Sequence, residues 1–473
     1  MAFLKSRLFR LIASIGLAAL FFFLCPPCFS KTYLGIVLAI LLVIINFHAF
    51  FARFRWLTHI ARFLVGGLFI FSGFIKANDP VGFSIKLEEY FEVFGQGFSC
   101  DMKVEGKTDA NIPCAKETHT TAKKVSESSL KPMYDFFAEH SLFLAILICG
   151  FEMVLGLFLL LGIQVRWTLL LLLAMIVFFA FLTFYSACCN KVTSCGCFGD
   201  AIKLTPWESF WKDLYLLLLI SVIFVGERNV KPLFKNRILL NGVAAIGLFA
   251  SFAFPVYTWR HLPVIDFRPY AIGTNLWDAS QRKDPKTTGC QNDSIVMEFY
   301  YFHDLKDSAT GPYKKFTVDN LPDSTWNYFC RYDNVIRKGN CGATVLDFNI
   351  TDPESGGNMN DSLLKMKGIQ FMLIMFDIDK AERDVMPEVN KFYAACGKNG
   401  TPFNALSSAS YEQAAAFRKE TNATYPMLSV DQTALKTIIR SNPGLMMLKD
   451  GVVTAMWHAN DFPVYEDVIK KYK

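Results

Sequence analysis

Seven apolar runs, at about 8–24, 33–51, 58–77, 141–163, 167–187, 207–226 and 238–256, govern what this chain can fold into. Each approaches or reaches the roughly 20 residues a helix needs to cross the hydrocarbon layer of a bilayer. Inside that layer a backbone has no water to bind, so such runs become helices. After Tyr257 the apolar blocks stop and the sequence reads as an ordinary soluble domain. The expected fold is a polytopic α-helical membrane domain followed by an α/β soluble domain.

Loop charges orient the spans. With the amino terminus in the cytoplasm, the inner loops hold Lys5, Arg7 and Arg10, then Arg53, Arg55 and Arg62, then Arg166, then Arg228, Lys231, Lys235 and Arg237. Glu227 is the only acid near them, whereas the short outer loops hold Lys31 alone or balanced pairs such as Lys203 with Asp200. This asymmetry follows the positive-inside rule. Seven spans in the cytoplasmic membrane of a bacterial cell envelope then leave the carboxyl-terminal domain outside. The first run also reads as a signal peptide ending near Ser30, without an obvious small-x-small cleavage site. Lys31 lies outside under both readings. The net charge of +6 carries no nucleic-acid signal, because the basic residues sit in short loops and no basic stripe interleaved with aromatics follows them.

The expected organisation is two leading spans over 1–57, a bundle over 58–226, a last span and exit over 227–262, and an outer domain over 263–473. Within the bundle, 79–140 is a long outer excursion. Asn78-Asp79 can cap a helix with Pro80 in its first turn. Phe83, Leu87, Tyr90 and Phe94 recur at helical spacing, which predicts one apolar face lying on the membrane surface or over the bundle. Residues 101–131 are polar and read as a flexible loop.

The 13 cysteines avoid every expected cytoplasmic loop. Cys149 alone is intramembrane; the rest fall where an oxidising compartment lets thiols pair. Structural disulfides suit Cys100 with Cys114 and Cys330 with Cys341. Cys25-Pro26-Pro27-Cys28 has the CxxC spacing that permits reversible pairing, although two small residues flanking a Pro-Pro turn would read the same. A denser cluster holds Cys188 and Cys189, then Cys195-Gly196-Cys197-Phe198-Gly199-Asp200. Thr205-Pro206-Trp207-Glu208 follows as a capping box with Pro at the first helical position. The four thiols therefore precede a helix amino terminus, whose partial positive charge favours thiolate. They suit redox exchange or structural pairing; CC and CxC spacing argues against zinc, which prefers longer gaps.

Two stretches carry a family resemblance. Phe71-Ser72-Gly73-Phe74-Ile75-Lys76-Ala77-Asn78-Asp79-Pro80 looks like the first span of DoxX-like membrane proteins. Cys195 to Asp200, with Leu204-Thr205-Pro206-Trp207 and Phe210-Trp211-Lys212-Asp213, resembles the methylamine-utilisation MauE-like branch. Over about 58–226 the resemblance implies a four-helix bundle similar to DoxX and vitamin K epoxide reductase-like proteins. It also implies a role in disulfide handling or maturation of exported proteins. The two extra leading spans and the large trailing domain depart from the minimal family.

Glu152 lies about eleven residues into its run, ~16 Å deep at helical rise. A carboxylate there is costly and points to function, against the plainer reading of a neutral, hydrogen-bonded group facing the bundle interior. Lys76 is nearer the outer surface and is expected to snorkel.

In the outer domain, 294–302 alternates as a strand. Beyond about 340 the order is strand 371–377, helix 382–396, strand 403–407, helix 411–421, strand 426–430 and helix 432–440. Strands Leu445–Leu448 and Val452–Trp457 follow, joined by Asp450-Gly451, and a helix closes the chain near 464–472. This order resembles the thioredoxin fold, with Pro443 at the family's cis-proline position. Where that family has its CxxC, this chain has Asp379-Lys380-Ala381-Glu382-Arg383, and Cys396 reads as a free buried thiol.

These features predict a thiol–disulfide relay protein of the envelope, with Cys195 and Cys197 exchanging and Cys188 and Cys189 resolving or accepting. The expected partners are the bilayer and an extracytoplasmic client or redox protein docked by the outer domain. A scaffold with permanently oxidised cysteines is the competing class, and a small-molecule transporter rests on Glu152 alone. No cofactor is identified: the sequence has no Gly-rich nucleotide loop and no haem motif, and nothing in it supports a quinone.

Overall fold

The computed structural model describes residues 55–95, 130–189, 192, 196, 198–292, 294–302, 314–337, 339, 341–345 and 348–472. Among the described residues of the amino-terminal half are the helices α1 Arg55–Asn78, α2 Pro80–Gly95, α3 Lys131–Glu139, α4 Ser141–Leu161, α5 Val165–Cys189, α6 Pro206–Val225 and α7 Arg237–Arg260. Four of them, α1, α4, α5 and α7, are long and apolar enough to cross a membrane, as expected of a multi-pass membrane protein. α6 has 20 residues but carries Glu208, Lys212 and Asp213 in its first two turns. The runs at 8–24 and 33–51 lie outside the described residues.

α1 and α4 pack most closely. A Cβ on Gly156 would stand 2.8 Å from the Gly66 carbonyl, and one on Gly73 2.7 Å from the Met153 side chain. Small residues at these crossings let backbones approach where lipid offers no hydrophobic drive. At the opposite end from the cysteine loop, Arg62 is buried and its Nε donates to the Leu159 carbonyl at 2.8 Å. It satisfies carbonyls that the end of α4 leaves without helical partners.

α2 begins as its sequence predicts. Asp79 Oδ1 accepts the Gly82 amide at 2.8 Å, and Phe83, Leu87, Tyr90 and Phe94 are all buried. Their face lies on the bundle, with Phe94 edge-on to Tyr185 of α5 at 4.9 Å. The polar stretch read as loop through 131 ends one residue earlier, because Lys131–Glu139 is helical with Pro132 in its first turn. Residues 96–129, with Cys100 and Cys114, lie outside the described residues.

The described residues of the carboxyl-terminal half form two sheets. β1 Ser294–Phe302, β2 Lys314–Thr317 and β3 Asn327–Arg337 form an antiparallel sheet in the order β2-β1-β3. β4 Ile369–Met375, β5 Phe403–Ser407, β6 Met427–Ser429, β7 Gly444–Lys449 and β8 Val452–His458 form the second, in the order β6-β5-β4-β7-β8. β4 pairs parallel with β5 and β5 with β6, while β7 runs antiparallel to both β4 and β8. Helices α8 Met386–Lys398, α9 Tyr411–Thr421, α10 Gln432–Ile438 and α11 Tyr465–Tyr472 accompany it. Successive β4 residues enter opposite cores: Phe371, Leu373 and Met375 one, Met372 and Ile374 the other. A strand buried on both faces is largely apolar; the buried exception, Gln370, donates its Nε2 to the Leu363 carbonyl at 2.6 Å.

The hairpin turn is as read: Asp450 and Gly451 have φ of 54° and 80°, the paired positive values a two-residue turn of this kind requires. Pro443 follows a cis peptide bond and directly precedes β7. Three expectations need correction. The helix predicted from 382 starts at Met386, because Asp377 Oδ1 accepts the Asp379 and Lys380 amides in a turn, each at 3.2 Å, and Pro387 opens the helix. α10 stops at Ile438 rather than 440, leaving Ile439 to Pro443 to approach β7. Cys341 bonds Cys290, not Cys330. Nearness in sequence misled here: Lys283 donates its amide to the Cys341 carbonyl at 2.9 Å, drawing the segment before Cys290 alongside, while Cys330 belongs to β3.

Candidate functional site

The last residues of α1 join three parts of the molecule. Lys76 points inward and meets Glu152 of α4, its Nζ 2.8 Å from Oε2 and 3.1 Å from Oε1. Both side chains are almost fully buried, at 2% and 4% exposure. Lys76 therefore does not snorkel, and Glu152 is an ion-pair partner rather than a lone neutral group. Its ammonium also lies 4.2 Å from the centre of the Phe179 ring of α5, an attractive cation–π position. Two residues on, Asn78 grips the chain leaving α7: its Nδ2 donates to the Ile265 carbonyl at 2.7 Å and its Oδ1 accepts the Ile265 amide at 3.0 Å. Asp79 faces the carboxyl-terminal domain.

A second polar group lies on the neighbouring helices. Lys212 Nζ of α6 is 2.7 Å from Asp213 Oδ1, and Thr183 of α5 donates to Asp213 Oδ2 at 3.0 Å. Lys212 also stands 5.3 Å from the ring centre of Phe198, which follows Cys197 in the cysteine loop. Ser72, Glu152, Phe179, Phe198 and Lys212 share the lining of one small void. Four helices thus contribute charge or hydroxyl groups beneath the loop. Lys76 and Asp213 gave the same signal that singled out Glu152, a charge inside an apolar run, and the sequence reading did not use it for them.

Above this layer is a cleft of about 580 Å³, a size typical of ligand sites. Lys76, Phe83, Gly196, Phe198 and Asp200 line one side, and Phe267, Thr433, Lys436 and Arg440 the other. Arg440 closes one end: its Nε is 2.9 Å from both carboxylate oxygens of Asp79, and its Nη2 is 3.7 Å from Asp200 Oδ2. Arg268, held by Asp266 at 2.7 Å, donates to the Ile438 carbonyl at 2.9 Å and fixes the end of α10 to the exit segment. At the end of α7, His261 Nδ1 lies 2.7 Å from Asp461 Oδ2. The carboxyl-terminal domain is thereby seated on Asp79, with Asp200, the last residue of the Cys-Gly-Cys-Phe-Gly-Asp run, beside the same guanidinium at 3.7 Å. Nothing local in the sequence marks Arg440 for this role.

Cys188, in the last turn of α5, is disulfide-bonded. Cys195, Cys197, Cys25, Cys28 and the side chain of Cys189 lie outside the described residues. The capping box after the loop forms as read: Thr205 Oγ1 accepts the Glu208 amide at 3.3 Å and Glu208 Oε2 accepts the Thr205 amide at 2.8 Å. Cys149 and Cys396 are free and buried. Burial pushes the Cys396 thiol up to about 12, so it carries little thiolate at neutral pH. No group of three or more potential metal ligands occurs among the described residues.

Residues 121–226 match the family model of methylamine utilisation protein MauE. The match covers less than half of the chain and takes in α3 to α6, with the cysteine loop and the Glu152 and Asp213 positions. It makes this region MauE-like. No curated protein and no solved structure matches the chain.

Proposed function

We propose that this membrane protein handles disulfides of exported proteins at the outer face of the cytoplasmic membrane, with Cys195 and Cys197 as the exchanging pair. Cys188 and Cys189 resolve or accept, and the carboxyl-terminal domain presents the client. The observation that carries this reading is the cleft where Arg440 meets Asp200. A ligand-sized space there lies between the cysteine loop and a domain seated on it. The parallel β4-β5-β6 set with antiparallel β7 and β8, and Pro443 just before β7, favours a thioredoxin-like reading of that domain. Asp379 to Arg383 stands where that family has its reactive thiols, which gives the domain a docking rather than an exchanging role. The MauE match agrees with a maturation role, and its family name ties it to methylamine utilisation. The disulfide at Cys188 favours the alternative scaffold reading if it never opens.

Differential alkylation in native membranes tests the choice. A relay visits both oxidation states, so the loop cysteines should give a mixed population that shifts with external reductant. Cys197→Ser should trap a mixed disulfide with a partner protein. Fixed oxidation at all four loop cysteines, with no partner trapped by any single Ser substitution, would establish the scaffold instead.

A further inference from the structure

We infer that the groove between α9 and the open edge of β6 binds an extended peptide by its free carboxyl terminus, with Arg418 taking the carboxylate. This site belongs to the sheet domain alone and does not require disulfide exchange. The pocket encloses about 200 Å³ between α9, β6 and the turn that begins at Asp352. That is below the usual range for compact small-molecule sites and suits a chain end in single file.

β6 is the outermost strand of its sheet. The Pro426 carbonyl accepts the Ala405 amide at 2.8 Å, and Val430 donates its amide to the Ser407 carbonyl at 3.0 Å. Alternate residues 426, 428 and 430 therefore face β5, and 427 and 429 face outward. Ser429 exchanges both backbone bonds with Thr351, at 2.9 and 2.8 Å, in an antiparallel bridge. The covering segment goes no further along the edge. At Asp352 it turns back, the Asp352 amide donating to the Gly357 carbonyl at 3.0 Å and its carbonyl accepting the Gly356 amide at 2.8 Å. The outward amide and carbonyl of Met427, which lines the pocket, are left without a strand. Such an edge is a template for one more strand.

Charge selects the occupant and its direction. Arg418 lines the pocket from α9, and its buried Nε has no hydrogen-bond partner among the described residues. No carboxylate among them pairs with its guanidinium. Its backbone carbonyl accepts the Ala423 amide at 3.1 Å, and its charge opposes the rise that burial gives the Tyr425 hydroxyl. Arg418 therefore serves the start of β6. Asp352 and Glu354 stand at the other end, beside the Thr351–Ser429 bridge. Pro426 and Ser429 are about 10 Å apart at strand rise. A peptide running antiparallel to β6, in line with Thr351, carries its amino side past the two acids and its carboxylate to Arg418. A parallel peptide meets the wrong charge at both ends. The planar guanidinium suits a carboxylate, which it can bind through two parallel hydrogen bonds.

The test uses the full chain in nanodiscs and trialanine, whose recognition depends on its main chain and termini. Hydrogen exchange at the Met427 amide is followed as the peptide is added, up to about 10 mM, where even a weak site fills. Saturable protection of Met427 is expected. Trialanine carboxamide should bind about tenfold more weakly or worse, as should trialanine to Arg418→Gln, since each removes a charge-assisted hydrogen bond. Acetylating the amino end should matter less, because Glu354 is exposed. The carboxamide comparison needs no variant, so it decides the matter even if Arg418→Gln fails to fold. No protection of Met427, equal binding of acid and carboxamide, or undiminished binding to a folded Arg418→Gln protein would each overturn the inference. Protection that grows with protein concentration in the absence of peptide would assign the edge to a second copy of the chain and overturn it too. A failure of disulfide exchange leaves this site untouched, and loss of this site leaves the exchanging pair to be judged by alkylation.

Discussion

The membrane bundle and the sheet domain bury different things. Arg62, Lys76, Glu152 and Asp213 are all under 7% exposed within the bundle, and each finds its partners through another helix or an adjacent residue. The cores on the two faces of the five-stranded sheet are apolar, and the domain's buried arginines, Arg268 and Arg440, lie where it meets the bundle. The difference follows from the solvent. Water drives apolar side chains of the sheet domain together. Lipid is as apolar as leucine, so helices in it are specified by small residues at crossings and by polar pairs. The buried charges of the bundle thus specify which helices meet, and Arg268 and Arg440 fix the domain at the junction.

Removing one partner of the intramembrane pair is the strongest way to break this contrast. Glu152→Ala leaves Lys76 buried without a counter-charge and should cost about 3–5 kcal/mol. Lys76→Met combined with Glu152→Leu should recover most of that loss. Thermal unfolding in nanodiscs distinguishes them, and equal damage from single and double variants would mean that volume, not charge, governs the bundle. In the sheet domain the counterpart is Phe371→Ala, which empties a site shared edge-on with Phe392 at 4.8 Å. There the loss should be about 3–4 kcal/mol, as for other buried aromatics. No charged replacement elsewhere should restore it.

A smaller effect sets the pH response of the domain. Burial lowers the His458 pKa from 6.5 to about 4, with Asp461 opposing and His261 adding to the shift. Its Nδ1 accepts the Asn460 amide at 3.1 Å, which suits a neutral ring. A depressed histidine pKa means that the unfolded chain binds more protons, so the stabilisation is complete above pH 6.5 and lost as pH falls toward 4. The loss should approach about 3 kcal/mol and should vanish in His458→Gln, as measured by melting curves across that window. A wild-type profile that is flat between pH 6.5 and 4 would place this ring in contact with solvent.

The least costly change addresses the seat of the domain. Arg440 and Asp79 form a part-buried, charge-assisted pair. A double-mutant cycle with Arg440→Ala and Asp79→Ala should give a coupling of about 1–2 kcal/mol, weakening with salt. Hydrogen exchange should rise at Asp200 and at the end of α10, while β4 stays protected. Protection lost equally in β4 would show that this contact holds up the domain itself rather than its position.

Sequence alone determined what depends on neighbours along the chain. Apolar runs gave α1, α4, α5 and α7, because a length near 20 residues and the demand for internal hydrogen bonds leave a helix as the outcome. Asp79 with Pro80, Thr205 with Glu208, and Asp450 with Gly451 set their own caps and turn within four residues. Tertiary structure decided what depends on distance in space. It joined Lys76 to Glu152, Cys290 to Cys341 and Arg440 to Asp79, partners 76, 51 and 361 positions apart. The individual charges could be seen inside their runs. Their partners could not, since which helix face meets which is settled by the close packing around Gly66, Gly73 and Gly156 and by the path of the chain leaving α7.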